Sequence, residues 1–196
     1  MSIRLVLWLV AAINALFFIT EMCAAIFAGS VSLFADSVDF FEDGAIAALV
    51  MLALGWTARR RKTVAIILSG IILLPAAAAI VTAIQKLIAP SLPSGTAITV
   101  TAIAALAVNL LCAAMLAAYR RGSGTLLRAA WLAARNDAIA SILIIATGLV
   151  TAATATFYFD AAVGVIVALI NLRAAKEVWE AAHGEMEDEY VDLLSE

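Results

Sequence analysis

The chain is a succession of six long apolar runs separated by short polar breaks. Each run is close to the ~20 residues that a helix needs to cross the hydrocarbon core of a bilayer. The pattern therefore predicts an all-α membrane protein with six transmembrane helices. The predicted spans are Arg4–Ala28, Val31–Trp56, Thr63–Ile88, Ala97–Tyr119, Thr125–Ala152 and Phe159–Val178.

Positive charge favours one orientation of these spans. The Arg and Lys residues after spans two, four and six, and Arg4 before span one, fall on the same side of a six-span bundle. The opposite connections hold only Lys86. Because cytoplasmic loops carry the excess of positive charge, both termini are predicted to be cytoplasmic.

Composition agrees with a polytopic membrane protein. Of the 196 residues, 65% are hydrophobic and only 14% are charged, which is unlike a soluble domain. The net charge of −3 owes much to acids that follow span six, so it does not indicate a nucleic-acid partner, and none is expected. No Gly-rich phosphate-binding loop is present, so neither an ATP-driven enzyme nor a bound cofactor is predicted.

The N-terminal run and the two cysteines have simple interpretations. The run begins like a signal peptide, but it continues to Ala28 through Asn14 and Glu21. That is too long for a signal sequence, so it is predicted to be a retained first span. Cys23 and Cys112 each lie in an apolar run without CxxC spacing, and both are interpreted as small core residues.

The first two spans carry acids at depth, where each carboxylate costs roughly 2.5 to 3.5 kcal/mol. They are Glu21, Asp36, Asp39, Glu42 and Asp43. On a helix, Asp39 and Asp43 lie one turn apart on one face, and Asp36 joins that face three residues earlier. Two oxygen donors aimed into a bundle are half of a divalent-cation site. The alternative is a structural acid cluster that pairs with Arg or with backbone groups.

Span five supplies the other half of the predicted site. Asp137 lies about thirteen residues into span five from its cytoplasmic end, and Asp43 lies about fourteen residues into span two from its outer end. At ~1.5 Å per residue, both positions are near the bilayer midplane. Beside Asp137, Asn136 adds an amide oxygen. Three carboxylates and one amide form a hard, oxygen-rich site for a divalent metal ion. The predicted ligands are Asp39, Asp43 and Asp137, supported by Asn136 and Asp36.

The position of Arg135 leaves two alternatives open. It faces almost opposite Asp137 on the helix, so its side chain either extends toward the cytoplasm or pairs with Glu42 or Glu21.

Other polar residues in the spans have both a functional and a structural interpretation. Asn14 and Glu21 either line a polar passage to the site or form interhelical hydrogen bonds. Asn109 is interpreted as structural. Asp160 is predicted to be the N-cap of span six, where it would accept backbone N–H groups.

With these features, the sequence resembles the cation diffusion facilitator family of divalent-metal transporters, and the likeness extends to about Ala182. It is carried by Asn14, Glu21, Gly29, SVSLFADSVDFFED, the NDAIAS of span five and the YFDAAVGVIVALINLRAA of span six. The resemblance implies one transmembrane domain over residues 1–182 and a short acidic cytoplasmic tail over residues 183–196. The family usually continues into a cytoplasmic α/β domain, for which the remaining residues are too few.

The family pattern has two ligands four residues apart in each of two spans. In span two they fall on Asp39 and Asp43, and in span five on Ala133 and Asp137. Because Ala133 has no donor atom, the usual fourth ligand, often an imidazole, is missing. The expected metal preference then shifts from zinc toward ions that bind well to oxygen ligands, such as Mn²⁺, Fe²⁺ or Co²⁺. Candidates for the vacant position are Asn136, Asp36 and water.

The resemblance implies a secondary transporter, held as a homodimer, that exports a divalent metal cation in exchange for protons. Crowded carboxylates at low dielectric bind protons tightly, and a cytoplasmic M²⁺ displaces them. Rocking of the bundle that holds spans two and five would expose the site alternately. The expected partners are a divalent metal ion, protons and the lipid bilayer, and the expected location is the bacterial inner membrane. The alternative is a non-transporting scaffold, modulator or metal sensor that retains the fold.

Overall fold

A computed structural model of the chain describes residues 2–53, 63, 77–117, 125–170 and 172–173. Their main elements are six helices: α1 Ile3–Ala28, α2 Val31–Ala53, α3 Ala77–Ile88, α4 Gly95–Ala117, α5 Thr125–Thr154 and α6 Tyr158–Ile170. The prediction of an all-α fold is confirmed for this part of the chain. The predicted acidic tail, the first part of span three and the end of span six lie outside the described residues.

Apolar length identifies helices that can cross a membrane. Three qualify among the described residues, namely α1, α4 and the Ala134–Thr154 part of α5. The described parts of α3 and α6 form shorter apolar helices. α2 has 23 residues, which is a sufficient length, but four acids interrupt its apolar character. The cytoplasmic position of both termini stays a prediction.

α1 and α2 form a helical hairpin that turns at Gly29 and Ser30. Gly29 has φ 63°, a left-handed conformation that glycine adopts without the steric cost of a Cβ. The N–H of Ser30 donates to the carbonyl of Ala25 at 3.0 Å, which closes the end of α1. The Ser30 hydroxyl accepts the N–H of Leu33 at 3.2 Å and so caps α2. The short turn makes the two helices antiparallel neighbours.

The connections α1–α2, α3–α4 and α5–α6 meet at one end of the bundle, which we call the Gly29 end. The N–H of Ser94, just before α4, donates to the carbonyl of Ala28 at 3.0 Å. Asp160, near the start of α6, accepts the N–H of Val31 at 2.9 Å. Successive helices therefore alternate in direction.

Glycines allow helix backbones to touch at two interfaces. A Cβ on Gly148 of α5 would lie 2.7 Å from the backbone N of Thr99 in α4. A Cβ on Gly164 of α6 would lie 2.7 Å from the carbonyl carbon of Val31 in α2. Since real Cβ atoms do not approach so closely, any other residue would push these helices apart.

Two apolar clusters fill the bundle, one on each side of a polar layer. The first apolar cluster lies toward the Gly29 end, draws on all six helices and includes Ala25, Leu33, Ala79, Ile98, Ile144 and Val163. The second includes Leu7, Val10, Ala47, Cys112, Leu116 and Ala134. Along α1, α2, α4 and α5, buried polar residues fall between the two clusters, namely Asn14, Glu21, Asp36, Asn109 and Ser141. The polar layer therefore crosses the middle of the bundle.

The outer surface of the bundle is apolar. Phe27 is 91% exposed and Leu16 is 69% exposed, as expected for side chains that face lipid. Cys23 is also exposed, whereas Cys112 is buried. The core interpretation is therefore confirmed for Cys112 and wrong for Cys23, because Cys23 lies on the outward face of α1.

Candidate cation site

A cavity of about 290 Å³ lies beside the polar layer, where α2, α5 and α6 meet. Its lining residues are Asp39, Asn136, Asp137, Ile139, Ala140, Val167 and Ile170. Three of the five predicted ligands, Asp39, Asn136 and Asp137, therefore share one cavity. Because a water molecule in the liquid takes about 30 Å³, the volume accommodates a cation with several of its waters.

Asp43, the fourth predicted ligand, meets the same group from its next helical turn. The Asp43 and Asp137 carboxyl groups are near enough to share a hydrogen bond. Asp39 lies within electrostatic range of Asp137, Asp36 and Asp43. The acids of spans two and five are thus brought together at one level, as a shared site requires. Their role as ligands stays a prediction.

Asp36, the fifth predicted ligand, is paired with Glu21 of α1 and is not among the lining residues. Both side chains are 0% exposed, and their carboxyl groups lie against each other. Their four oxygens have no hydrogen-bond partner among the described residues. Two such carboxylates are costly to bury together when no described N–H group or positive charge compensates them. The pairing follows from the hairpin, since the two acids stand at similar distances before and after Gly29.

Arg135 is hydrogen-bonded to Asn136, one of the predicted ligands. Its Nη2 donates to Oδ1 of Asn136 at 3.2 Å on the exposed side of α5. Arg135 does not reach Glu21, whose carboxyl oxygens have no hydrogen-bond partner among the described residues. The first of the two predicted pairings, with Glu42, stays a prediction.

Two acids, Asp39 and Asp137, line the cavity, and the described residues form no ready coordination group there. Within residues 2–53, 77–117 and 125–170, no three His, Cys, Asp or Glu side chains are arranged as a metal-binding group. Ala133 lies on α5 one turn before Asp137, but its side chain is outside the described residues. The identity of the fourth ligand therefore stays a prediction.

Two asparagines in the polar layer hold helices together. Asn14 donates to the carbonyl of Val10 at 2.8 Å and to Sγ of Cys112 at 3.5 Å, which joins α1 to α4. Asn109 donates to the hydroxyl of Ser141 at 3.2 Å, which joins α4 to α5. These bonds agree with the structural interpretation of Asn109 and with the interhelical alternative for Asn14.

Asp160 caps a different helix from the one predicted. It is 0% exposed and accepts the N–H groups of Val31 at 2.9 Å and Ser32 at 3.2 Å. The hydroxyls of Ser30 and Ser32 donate to it at 2.6 and 2.7 Å. The prediction of an N-cap for span six was wrong, because these donors belong to the start of α2. Lys86 of α3 approaches at 2.9 Å. We call these five residues the Asp160 network.

Sequence reasoning overlooked the role of Lys86, although a signal was present. Lys86 is the only charged residue of predicted span three, and Asp160 is the only one in the first half of predicted span six. Both lie near the Gly29 end of their helices. Lone opposite charges inside adjacent apolar helices are expected to pair.

Comparison with known proteins agrees with these features. A family model described as the cation efflux transmembrane domain matches residues 7–182, which include the whole of the described bundle after the first turns of α1. No curated protein matches the chain. Members of the matched family are transporters of metal cations rather than enzymes, and they are integral membrane proteins. The chain belongs to the cation diffusion facilitator family.

Proposed function

We propose that the protein is a secondary transporter that exports a divalent metal cation from the cytoplasm in exchange for protons. The observation that carries the proposal is the shared cavity of Asp39, Asn136 and Asp137, bounded by three helices beside the polar layer. A carboxylate pair at this depth needs a cation or protons to offset its charge. Transport supplies both in turn.

The donor atoms around the cavity favour a hard cation. Every polar lining residue offers oxygen from a carboxylate or an amide, and Asp43 adds a further carboxylate beside Asp137. Such oxygen ligands suit Mn²⁺ better than an imidazole-rich set would. In sites that combine several ligand types, they also suit Fe²⁺ and Co²⁺. Zinc remains a competing cargo because Asp and Glu oxygens also bind Zn²⁺.

Proton exchange follows from the same crowding. When the metal leaves, Asp39, Asp43 and Asp137 remain close together in a poorly solvated interior, and protons are the smallest cations that neutralise them. A new metal ion then displaces those protons as its carboxylate ligands become ionised. The Glu21–Asp36 pair, which has no hydrogen-bond donor among the described residues, extends this group of acids toward α1.

Alternating access requires that the wall of the cavity moves. That wall is divided among α2, α5 and α6, so relative movement of these helices would open the cavity to one side or the other. A homodimer and a bacterial inner-membrane location complete the proposal.

A metal panel on the purified protein in liposomes tests the function. We expect metal uptake to be coupled to proton movement in the opposite direction and to disappear in Asp43→Ala. Ala133→His should shift the ratio of zinc to manganese transport toward zinc, because it adds the missing nitrogen donor. An unchanged ratio would contradict the proposed vacancy.

One observation favours a second candidate, a non-transporting modulator or metal sensor. The described acids do not form a ready three-ligand group, and Asn136 is hydrogen-bonded to Arg135. A folded protein that binds metal in the same liposome preparation, but moves neither metal nor protons, would support this alternative over transport.

A further inference from the structure

The Asp160 network joins three elements at the Gly29 end. Asp160 belongs to α6, Lys86 to α3, and the remaining three residues to the turn and first residues of α2. The Lys86 ammonium donates to the backbone carbonyl of Gly29 and to Oδ2 of Asp160. Lys86 is 5% exposed, so this ion pair is closed to solvent.

The network lies between the cavity and the Gly29 end. Along α2, Asp39 follows Val31 by eight residues, and along α6, Val167 follows Asp160 by seven. At ~1.5 Å per residue, both helices reach the cavity about 10–12 Å beyond the network. Between the two levels lie Leu33 and Val163 of the first apolar cluster. The cavity is therefore separated from this end by an apolar layer and then by a buried ion pair.

Lys86 is the part of the network that can withdraw at the least cost. Without it, Asp160 keeps two N–H and two hydroxyl donors from Ser30, Val31 and Ser32. The carboxylate would remain hydrogen-bonded, and α6 would remain joined to α2. Lys86 is the only described α3 side chain with a hydrogen bond to the network. Its departure would remove these hydrogen bonds of α3 and leave α2 and α6 joined, with water taking the place of Asp160 on the ammonium group.

We propose that the Lys86–Asp160 ion pair is a lock that holds the Gly29 end of the bundle closed, and that the cavity opens to that side only when Lys86 leaves Asp160. The purpose of the lock rests on the proposed transport function. Its existence does not, because accessibility of the cavity can be measured without any transport. Lys86 and Asp160 are positioning residues here, since neither lines the cavity.

The test uses Val167→Cys as a reporter in the cavity, in full-length protein that also carries Cys23→Ser and Cys112→Ser. Proteoliposomes of known orientation are treated with a membrane-impermeant thiol reagent from each side. Lys86→Met removes the charge and keeps an apolar side chain of similar length. Ser32→Ala is the matched control, because it removes one hydroxyl donor to Asp160 and leaves the ion pair intact.

We expect Lys86→Met to raise the labelling rate from the Gly29 side about tenfold, which corresponds to a shift of about 1.4 kcal/mol in the closed-to-open equilibrium. Labelling from the opposite side should stay the same or fall, and Ser32→Ala should label like the parent. If the methionine variant is not recovered folded, Lys86→Gln, which keeps a donor for the Gly29 carbonyl, serves in its place.

Equal labelling of the Lys86 variant and the parent from the Gly29 side would overturn the lock. An equal rise of the labelling rate from both sides would also overturn the lock. Such a rise is expected if the ion pair is purely structural, because its loss would then loosen the whole bundle. A variant that opens as expected in a protein that moves no metal would overturn the proposed function and leave the lock standing.

Discussion

Buried acids at two places in this bundle differ in the hydrogen-bond partners around them. At the Gly29 end, Asp160 is 0% exposed, and both of its oxygens accept hydrogen bonds, one of them from a buried lysine. In the polar layer, Glu21 and Asp36 are equally buried, yet their four carboxyl oxygens have no hydrogen-bond partner among the described residues. Burial alone therefore does not distinguish a structural acid from a functional one.

The two places differ in the source of the charge that compensates the carboxylates. The protein supplies it to Asp160 from Lys86 and from the first N–H groups of α2, whose helix end also favours a negative charge. For Glu21 and Asp36 the described residues supply none, so we expect a proton or a mobile cation to offset their charge. The first arrangement favours one conformation, and the second favours binding from outside.

The strongest way to break this comparison is Asp160→Asn. It leaves Lys86 buried without a carboxylate and presents an amide group to the N–H donors of Val31 and Ser32. We expect the free energy of unfolding to fall by about 3–5 kcal/mol, measured by denaturant unfolding in detergent micelles. A variant as stable as the parent would show that the network is not structural.

Asp137→Asn should have the next largest effect, on transport rather than on folding. Loss of one proposed ligand is expected to lower metal flux at least about 100-fold, because even the indirect partners of metal ligands are worth 10- to 100-fold. Flux into proteoliposomes measures it, and gel filtration confirms the fold. Thr147→Val on the same helix is the control, since the Thr147 hydroxyl donates to the carbonyl of Leu143 within α5. Equal flux in the two variants would remove Asp137 from the site.

Glu21→Gln sharpens the contrast with Asp160, because the expected sign is reversed. Removing one charge from a buried pair without other donors should raise the free energy of unfolding of the metal-free protein by about 1 kcal/mol. Thermal unfolding without metal measures it, with Glu42→Gln as a control that leaves the pair intact. A loss of stability comparable to that of Asp160→Asn would mean that Glu21 is a structural acid.

The smallest effect is expected from Asn109→Ala. Its hydrogen bond to Ser141 joins two helices away from the cavity lining, and such bonds in membranes average about 0.6 kcal/mol. A double-mutant cycle with Ser141→Ala measures the coupling. Transport should stay within about threefold of the parent, because an energy of about 0.6 kcal/mol changes an equilibrium by less than threefold. A loss like that of Asp137→Asn would place Asn109 in the transport site.

Much of the fold could be predicted from the sequence. The apolar runs and their breaks predicted the helix positions, because a bilayer requires about twenty apolar residues in each span. The spacing of Asp39 and Asp43 and the depth of Asp137 predicted which acids would meet, since helical rise converts residue number into depth. Asp36 is predicted on the same face and lies within electrostatic range of Asp39 and Asp137, and the structure adds Glu21 as its neighbour.

The contacts that decide the role of each acid depend on which helices become neighbours, and periodicity along one helix does not contain that information. Asp160 reads as the cap of its own helix, but Gly164 lets α6 approach the start of α2 so closely that the carboxylate caps α2. Lys86 reads as a lone charge until α3 is packed beside the same turn. The sequence by itself determined where helices form and at what depth each charge lies, because these follow from local spacing and the thickness of the bilayer. Only the tertiary structure decided which charges are compensated, because compensation requires a partner from another helix.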